Sequence, residues 1–181
     1  VSRHGLVAYA SSFDQIGPFT HTIEDMALIT EVISGGDEYD TTCSKREVPN
    51  LSDNLNIDKK LKLTYFKSYI ENDGLDAEVK ARFYDIIEKL KAEGHTVEET
   101  EFEYLDYLVP TYYVLTTAEA SSNLARFDGI HYGYRSPNAS DLESTYKLSR
   151  TEGFGKEVKR RIILGTHVLS SGYYDAYYNK A

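Results

Sequence analysis

Arg160 and Arg161 stand next to Ile162 and Ile163 in a stretch that is otherwise apolar. On a helix, Arg161 would share a side with Val158 and come near Gly165. A guanidinium beside an apolar face needs an anion, and its planar fork suits a carboxylate. Two readings are open at this point: a bound carboxylate, or a structural ion pair with one of the chain's 29 Asp and Glu residues. The serine pairs at 11–12, 121–122 and 170–171 have nucleophilic hydroxyls, but no activating base can be tied to any of them by spacing. The five histidines, His4, His21, His95, His131 and His167, are scattered, with no i, i+4 pair and no cysteine partner, so the spacing does not describe a zinc site. Gly153-Phe154-Gly155-Lys156 is too short for a phosphate-cradling loop, and there is no Gly-x-Ser-x-Gly elbow. Cys43, the single cysteine, lies in the polar run Thr41-Thr42-Cys43-Ser44-Lys45 and reads as a loop thiol. Alone, it excludes an internal disulfide and suits a reducing compartment.

Sixteen tyrosines and no tryptophan make the composition unusual. They gather late, at Tyr112-Tyr113, Tyr132, Tyr134, Tyr173-Tyr174 and Tyr177-Tyr178. Such clusters suit either a polar-lined cleft or interface, or a core whose hydroxyls find partners. The formal net charge is −9, and the one basic cluster is Lys156, Lys159, Arg160 and Arg161. A field of that sign repels a phosphate backbone, so direct RNA binding is not expected. No apolar run approaches the roughly 20 residues that cross a bilayer. A cytoplasmic protein is expected, with no membrane partner.

The elements that would carry these residues can be read from periodicity and punctuation. Thr22 with Asp25 caps a helix through Ile23, Met26, Ile29 and Ile33, which Gly35-Gly36 ends. Residues 37–60 read as loop. Leu61 to Phe66 alternates as a strand, Leu75 to Lys91 places Leu75, Val79, Phe83, Ile86, Ile87 and Leu90 on one helix face, and His95 to Phe102 alternates again. Strand, helix, strand is the order of an α/β unit, with a right-handed crossover if the strands are parallel. A helix is expected to open at Pro110 and run to about Phe127, followed by a Gly, Pro, Ser and Asn-rich loop over 129–141. Further helices are expected from Asp141 to Ser149, after Gly155 through Gly165, and over the tail from His167 to Asn179.

Three ordered stretches resemble the amidase signature family, in its branch of glutamine-hydrolysing components of tRNA-dependent amidotransferases. They are Val1-Ser2-Arg3-His4-Gly5-Leu6-Val7-Ala8-Tyr9-Ala10-Ser11-Ser12-Phe13-Asp14-Gln15-Ile16-Gly17-Pro18-Phe19, then Glu119-Ala120-Ser121-Ser122-Asn123-Leu124-Ala125-Arg126-Phe127-Asp128-Gly129-Ile130, and the run from Ser149-Arg150-Thr151-Glu152-Gly153-Phe154-Gly155 to Ser170-Ser171-Gly172-Tyr173-Tyr174-Asp175-Ala176-Tyr177-Tyr178. The resemblance implies an α/β amidase fold, a mixed β-sheet covered by helices and incomplete at both ends, with residues 1–181 as a single segment. It also implies a chemistry: a serine activated by a lysine through a second serine attacks the glutamine side-chain amide. The ammonia passes to the B subunit, which uses ATP and Mg²⁺ to amidate glutamyl-tRNA, in a complex that includes a C subunit. The tRNA is met indirectly, through that complex.

In the resembled pattern the lysine and both serines lie before a stretch like Val1-Ser2-Arg3, so no catalytic residue carries over, and this chain alone is expected to be inactive and prone to self-association. Two binding residues carry over. Tyr112 corresponds to a pocket tyrosine, and Arg161 to the arginine that holds the glutamine carboxylate, with Tyr113 and Arg160 as one-residue alternatives. Asp14 is expected to pin a turn. A subunit-interaction module and a segment of another small-amide amidase are the competing readings.

Overall fold

The computed structural model describes all 181 residues. They form two compact units, one of Val1–Pro18, Ile33–Val48 and Val109–Ala181, the other of Phe19–Val32 and Pro49–Leu108. No helix is long and apolar enough to cross a membrane.

The second unit holds the α/β element. Strand β1 (Lys62–Phe66) pairs in parallel with β2 (Thr96–Thr100), Lys62 opposite Thr96 and Phe66 opposite Thr100. Parallel neighbours need a crossover, and here it contains the short α2 (Lys67–Ile70) and the long α3 (Ala77–Ala92). The one sheet is this parallel pair, beside a lone antiparallel bridge between Asp37 and Asp40, so the mixed sheet implied by resemblance is represented by two strands. The Asp76 carboxylate caps α3, accepting from the N–H groups of Glu78 and Val79 at 2.8 and 3.3 Å. At the other end Gly94 takes φ +88°, which lets the His95 N–H reach back to the Leu90 carbonyl at 3.0 Å. The inward face of α3 is narrower than its periodicity suggests. Ile87 is buried and Phe83 meets the Tyr65 ring edge-on, whereas Val79 and Ile86 are each 54% exposed. A two-stranded sheet is too small to cover a whole apolar stripe. Helix α1 (Ile23–Ile33) starts as expected, with Thr22 Oγ1 accepting from Asp25 N–H, and Glu31 holds the Ser52 N–H at 2.6 Å.

The first unit is helical and packed through small residues. Helix α4 (Leu105–Asn123) runs on into a 3₁₀ turn over Leu124–Arg126. It opens five residues before Pro110, a correction to the expected start. Pro110 is the sixth residue of the helix, past the four N–H groups that are unpaired at any helix start, so α4 forgoes one backbone hydrogen bond there. Only the helix from Val109 onward belongs to this unit. Its inward face is Thr116, Thr117, Ala118 and Ala120, all buried. The two threonine hydroxyls donate to the carbonyls of Tyr112 and Tyr113 one turn back, which satisfies them without solvent.

Helix α5 (Leu142–Gly153) begins in a capping box between Asp141 and Ser144, and α6 (Lys156–Val168) follows directly. The tail departs from the expected continuous helix. Gly172 at φ +91° breaks it, leaving only the single turn α7 (Tyr174–Tyr177). The late tyrosines are not core residues either, since Tyr132, Tyr134, Tyr173, Tyr174 and Tyr177 are all exposed.

Candidate functional site

Helix α6 turns one stripe inward: Val158, Arg161, Ile162, Gly165 and Val168 are buried or half-buried at helical spacing. Gly165 makes this packing possible. A Cβ there would lie 1.9 Å from the Thr117 carbonyl oxygen, so the α6 and α4 backbones touch at this point. The close approach brings Arg161 against the tyrosines of α4.

The Arg161 side chain is 25% exposed and Arg160 is 71% exposed. Arg161 Nε donates to Glu157 Oε1 at 2.8 Å, one turn back on α6, and its Nη1 donates to the Tyr9 hydroxyl at 2.7 Å. The guanidinium carbon lies 5.4 Å from the Tyr9 ring centroid and 5.5 Å from that of Tyr113, within range of cation–π attraction to both. Arg160 reaches only Glu157, at 3.0 Å.

The two arginines hold the Glu157 carboxyl down at about 2, Arg160 first and Arg161 second. In turn the Glu157 carboxylate, then the Tyr9 hydroxyl, hold the Arg161 pKa above its usual range, and the Tyr112 hydroxyl adds a smaller contribution. Glu157 and Tyr9 take up Nε and Nη1, and the Tyr112 hydroxyl stands close to the guanidinium, while Nη2 makes no hydrogen bond within the geometric limits met by the other two. Tyr113, Arg160, Arg161, Ile163, Leu164 and His167 line an open groove. An anion with an apolar body would find there a charged fork, a ring face and an aliphatic wall.

The structural ion pair and the remaining donor edge therefore coexist on one residue. Of the four nominated positions, Tyr112, Tyr113 and Arg161 come together, with the Tyr113 ring on the guanidinium and the Tyr112 and Tyr113 rings edge-to-face at 5.5 Å. Arg160 stays at the solvent edge.

Tyr9, Thr116 and Glu157 are site residues that sequence reasoning did not single out. Glu157 could have been found, since it sits four residues before Arg161 on a helix. Tyr9 carries no such signal. Its placement follows from Asp14, whose carboxylate accepts from the N–H groups of Tyr9 at 2.9 Å and Ala10 at 3.2 Å, the expected pinned turn. Asn123 Nδ2 donates to the Tyr9 carbonyl at 3.2 Å from the other side.

One serine of each pair is engaged elsewhere. Ser11 Oγ accepts from Asn123, Ser121 Oγ donates to the Ala118 carbonyl, and Ser170 Oγ donates to the His167 carbonyl. None of these hydroxyls meets a lysine or a histidine ring.

Residues 1–181 match the Amidase family. The A subunit of glutamyl-tRNA(Gln) amidotransferase from Fusobacterium nucleatum is 54% identical across the whole chain, and its counterpart from Staphylococcus saprophyticus 53%. The chain spans 37% of the length of each of these relatives. The crystal structure of the corresponding amidotransferase A subunit from Thermotoga maritima superposes with a TM-score of 0.64 at 37% identity, over 99% of this chain and 34% of that one. The peptide amidase of Stenotrophomonas maltophilia shares the fold, with a TM-score of 0.64 at 21% identity over 99% of this chain and 37% of the other.

Proposed function

The chain belongs to the amidase family, and from that premise we propose that it forms the substrate-carboxylate wall of a glutamine-hydrolysing amidotransferase component, with Arg161 as the anchor and Tyr112 beside it. The observation that carries this reading is the guanidinium itself. It lies in the inward stripe of α6, held at Nε by Glu157 and at Nη1 by Tyr9, with the Tyr112 hydroxyl beside it and a groove lined by Arg161 and Tyr113 open to an anion. A free amino acid presents a carboxylate that matches such a fork. The chemistry at the other end of the substrate belongs to residues outside these 181. A serine there would attack the side-chain amide, releasing ammonia for a partner protein that uses ATP and Mg²⁺ to amidate glutamyl-tRNA. The names of the relatives, which are A subunits of a glutamyl-tRNA(Gln) amidotransferase, support the assignment to such a complex.

The test is made in the complete parent protein within its complex, following ammonia release from glutamine. Arg161→Gln raises the glutamine KM by about 30-fold or more, since a hydrogen-bonded charge pair is worth on the order of 2–3 kcal/mol. A KM that stays at the wild-type value sinks the assignment. The 181-residue chain alone, given glutamine, releases no ammonia above background. Turnover that persists through repurification would show that the nucleophile lies within it.

A further inference from the structure

We propose that Tyr9 is a positioning residue for Arg161, aiming the guanidinium at the substrate carboxylate through both its ring and its hydroxyl. The inference rests on the carboxylate-binding reading of Arg161 given above.

The hydrogen bonds around Tyr9 have a fixed direction. A hydroxyl has one proton to give and two lone pairs to receive with. Thr116 Oγ1 gives its proton to the Tyr112 carbonyl at 2.7 Å. Its lone pairs are therefore open, and the Tyr9 hydroxyl donates to them at 3.3 Å. That leaves the Tyr9 oxygen as an acceptor, which Arg161 Nη1 fills at 2.7 Å. Thr116 is fully buried on α4, so water does not compete for it.

The ring does a second job. Together with Tyr113 it brackets the guanidinium, at 5.4 and 5.5 Å. Glu157 alone fixes only the Nε side and leaves the fork free to swing about its last bonds. The Tyr9 hydroxyl removes that freedom and fixes the guanidinium at the groove that Arg161 lines. Tyr9 is itself immobilised, because Asp14 holds its N–H and Asn123 its carbonyl. A merely space-filling aromatic would need the ring and not this directed chain of hydroxyls.

The test uses Tyr9→Phe in the complete parent protein within its complex, which keeps the ring and deletes the hydroxyl. Glutamine KM is expected to rise roughly fivefold with kcat unchanged, less than the roughly tenfold or more of a lost charge-assisted hydrogen bond to the substrate itself, because this bond only aims the guanidinium. Thr116→Val, which breaks the second link, is expected to raise KM about twofold, and Thr116→Ser to restore the wild-type value. Arg161→Lys is run alongside. If it raises KM while Tyr9→Phe does not, the positioning role is overturned and the carboxylate anchor survives. If neither variant moves KM, both readings fall. A drop in kcat with or without a change in KM marks general damage and also overturns the positioning role.

Discussion

Glu157 is the residue through which pH reaches the candidate site. Its carboxyl is lowered from an ordinary 4.5 to about 2 by the hydrogen bonds from Arg160 and Arg161. A lowered folded value means that the pairing is complete above about pH 4.5 and is lost as pH falls toward 2. The Arg161 clamp is therefore unchanged across the physiological range. A carbon-detected NMR titration of the Glu157 carboxyl should give a midpoint near 2, and a midpoint near 4.5 would show that the pair is open in solution. At this scale the sequence revealed the charge but not its surroundings. Arg161 stands out because a charge in an apolar helical stripe breaks a pattern. Tyr9 breaks none, lying in an irregular run, and the pairing that gives it a role spans 152 positions. Periodicity reports on neighbours a turn apart and is silent on such a contact.

Among the elements, the α4–α6 contact sets the geometry of the site and is also the most brittle feature. Gly165→Ala puts a methyl group into the Thr117 carbonyl. It should destabilise the protein by about 3 kcal/mol, the upper range for overpacking a tight core, and reduce glutamine affinity because Arg161 moves with α6. Denaturant midpoints measured beside binding would check both, and an unperturbed midpoint would refute the contact. Removing a cap is milder. Asp141→Ala should cost about 1 kcal/mol, since it unmakes the capping box of α5 while leaving the site residues in place.

Elements with clear stop and start chemistry were legible. α3 runs from its Asp76 cap to Gly94, and β1 and β2 flank it as the strand–helix–strand order implied, their parallel direction being settled only by the pairing itself. The misreadings came from competing local signals. Pro110 looked like a helix start but lies within the opening turns of α4, and Gly172 broke a tyrosine-rich run whose composition gave no periodic warning.

For the molecule as a whole, charge and exposed apolar surface make separate predictions. With a net charge of −9, the chain should not retain tRNA at physiological salt in a gel-shift assay, and saturable retention would contradict the expected indirect role. The unit that carries the strand pair exposes Phe19, Ile23, Leu28 and Val32, the last 84% exposed. Large apolar patches promote association, so the isolated chain should self-associate, with Val32→Glu reducing the effect. Light scattering that finds a monomer at high concentration would refute this. Composition and spacing could indicate neither residue burial nor the division into two units, because both depend on which segments return to pack together.

The bond between Tyr9 and Arg161 also bears on when the site comes into being. The two residues are separated by 152 positions. At the usual elongation rate of about 5–20 residues per second, the partner of Tyr9 leaves the ribosome on the order of ten seconds after Tyr9 does. Early in that interval the tyrosine and its Asp14-pinned turn have been made, Thr116 follows 107 positions after Tyr9, and the Arg161 cation comes last. A nascent chain therefore cannot form the Tyr9–Arg161 pair until α6 has been synthesised, which ties the assembly of the candidate site to the making of that helix.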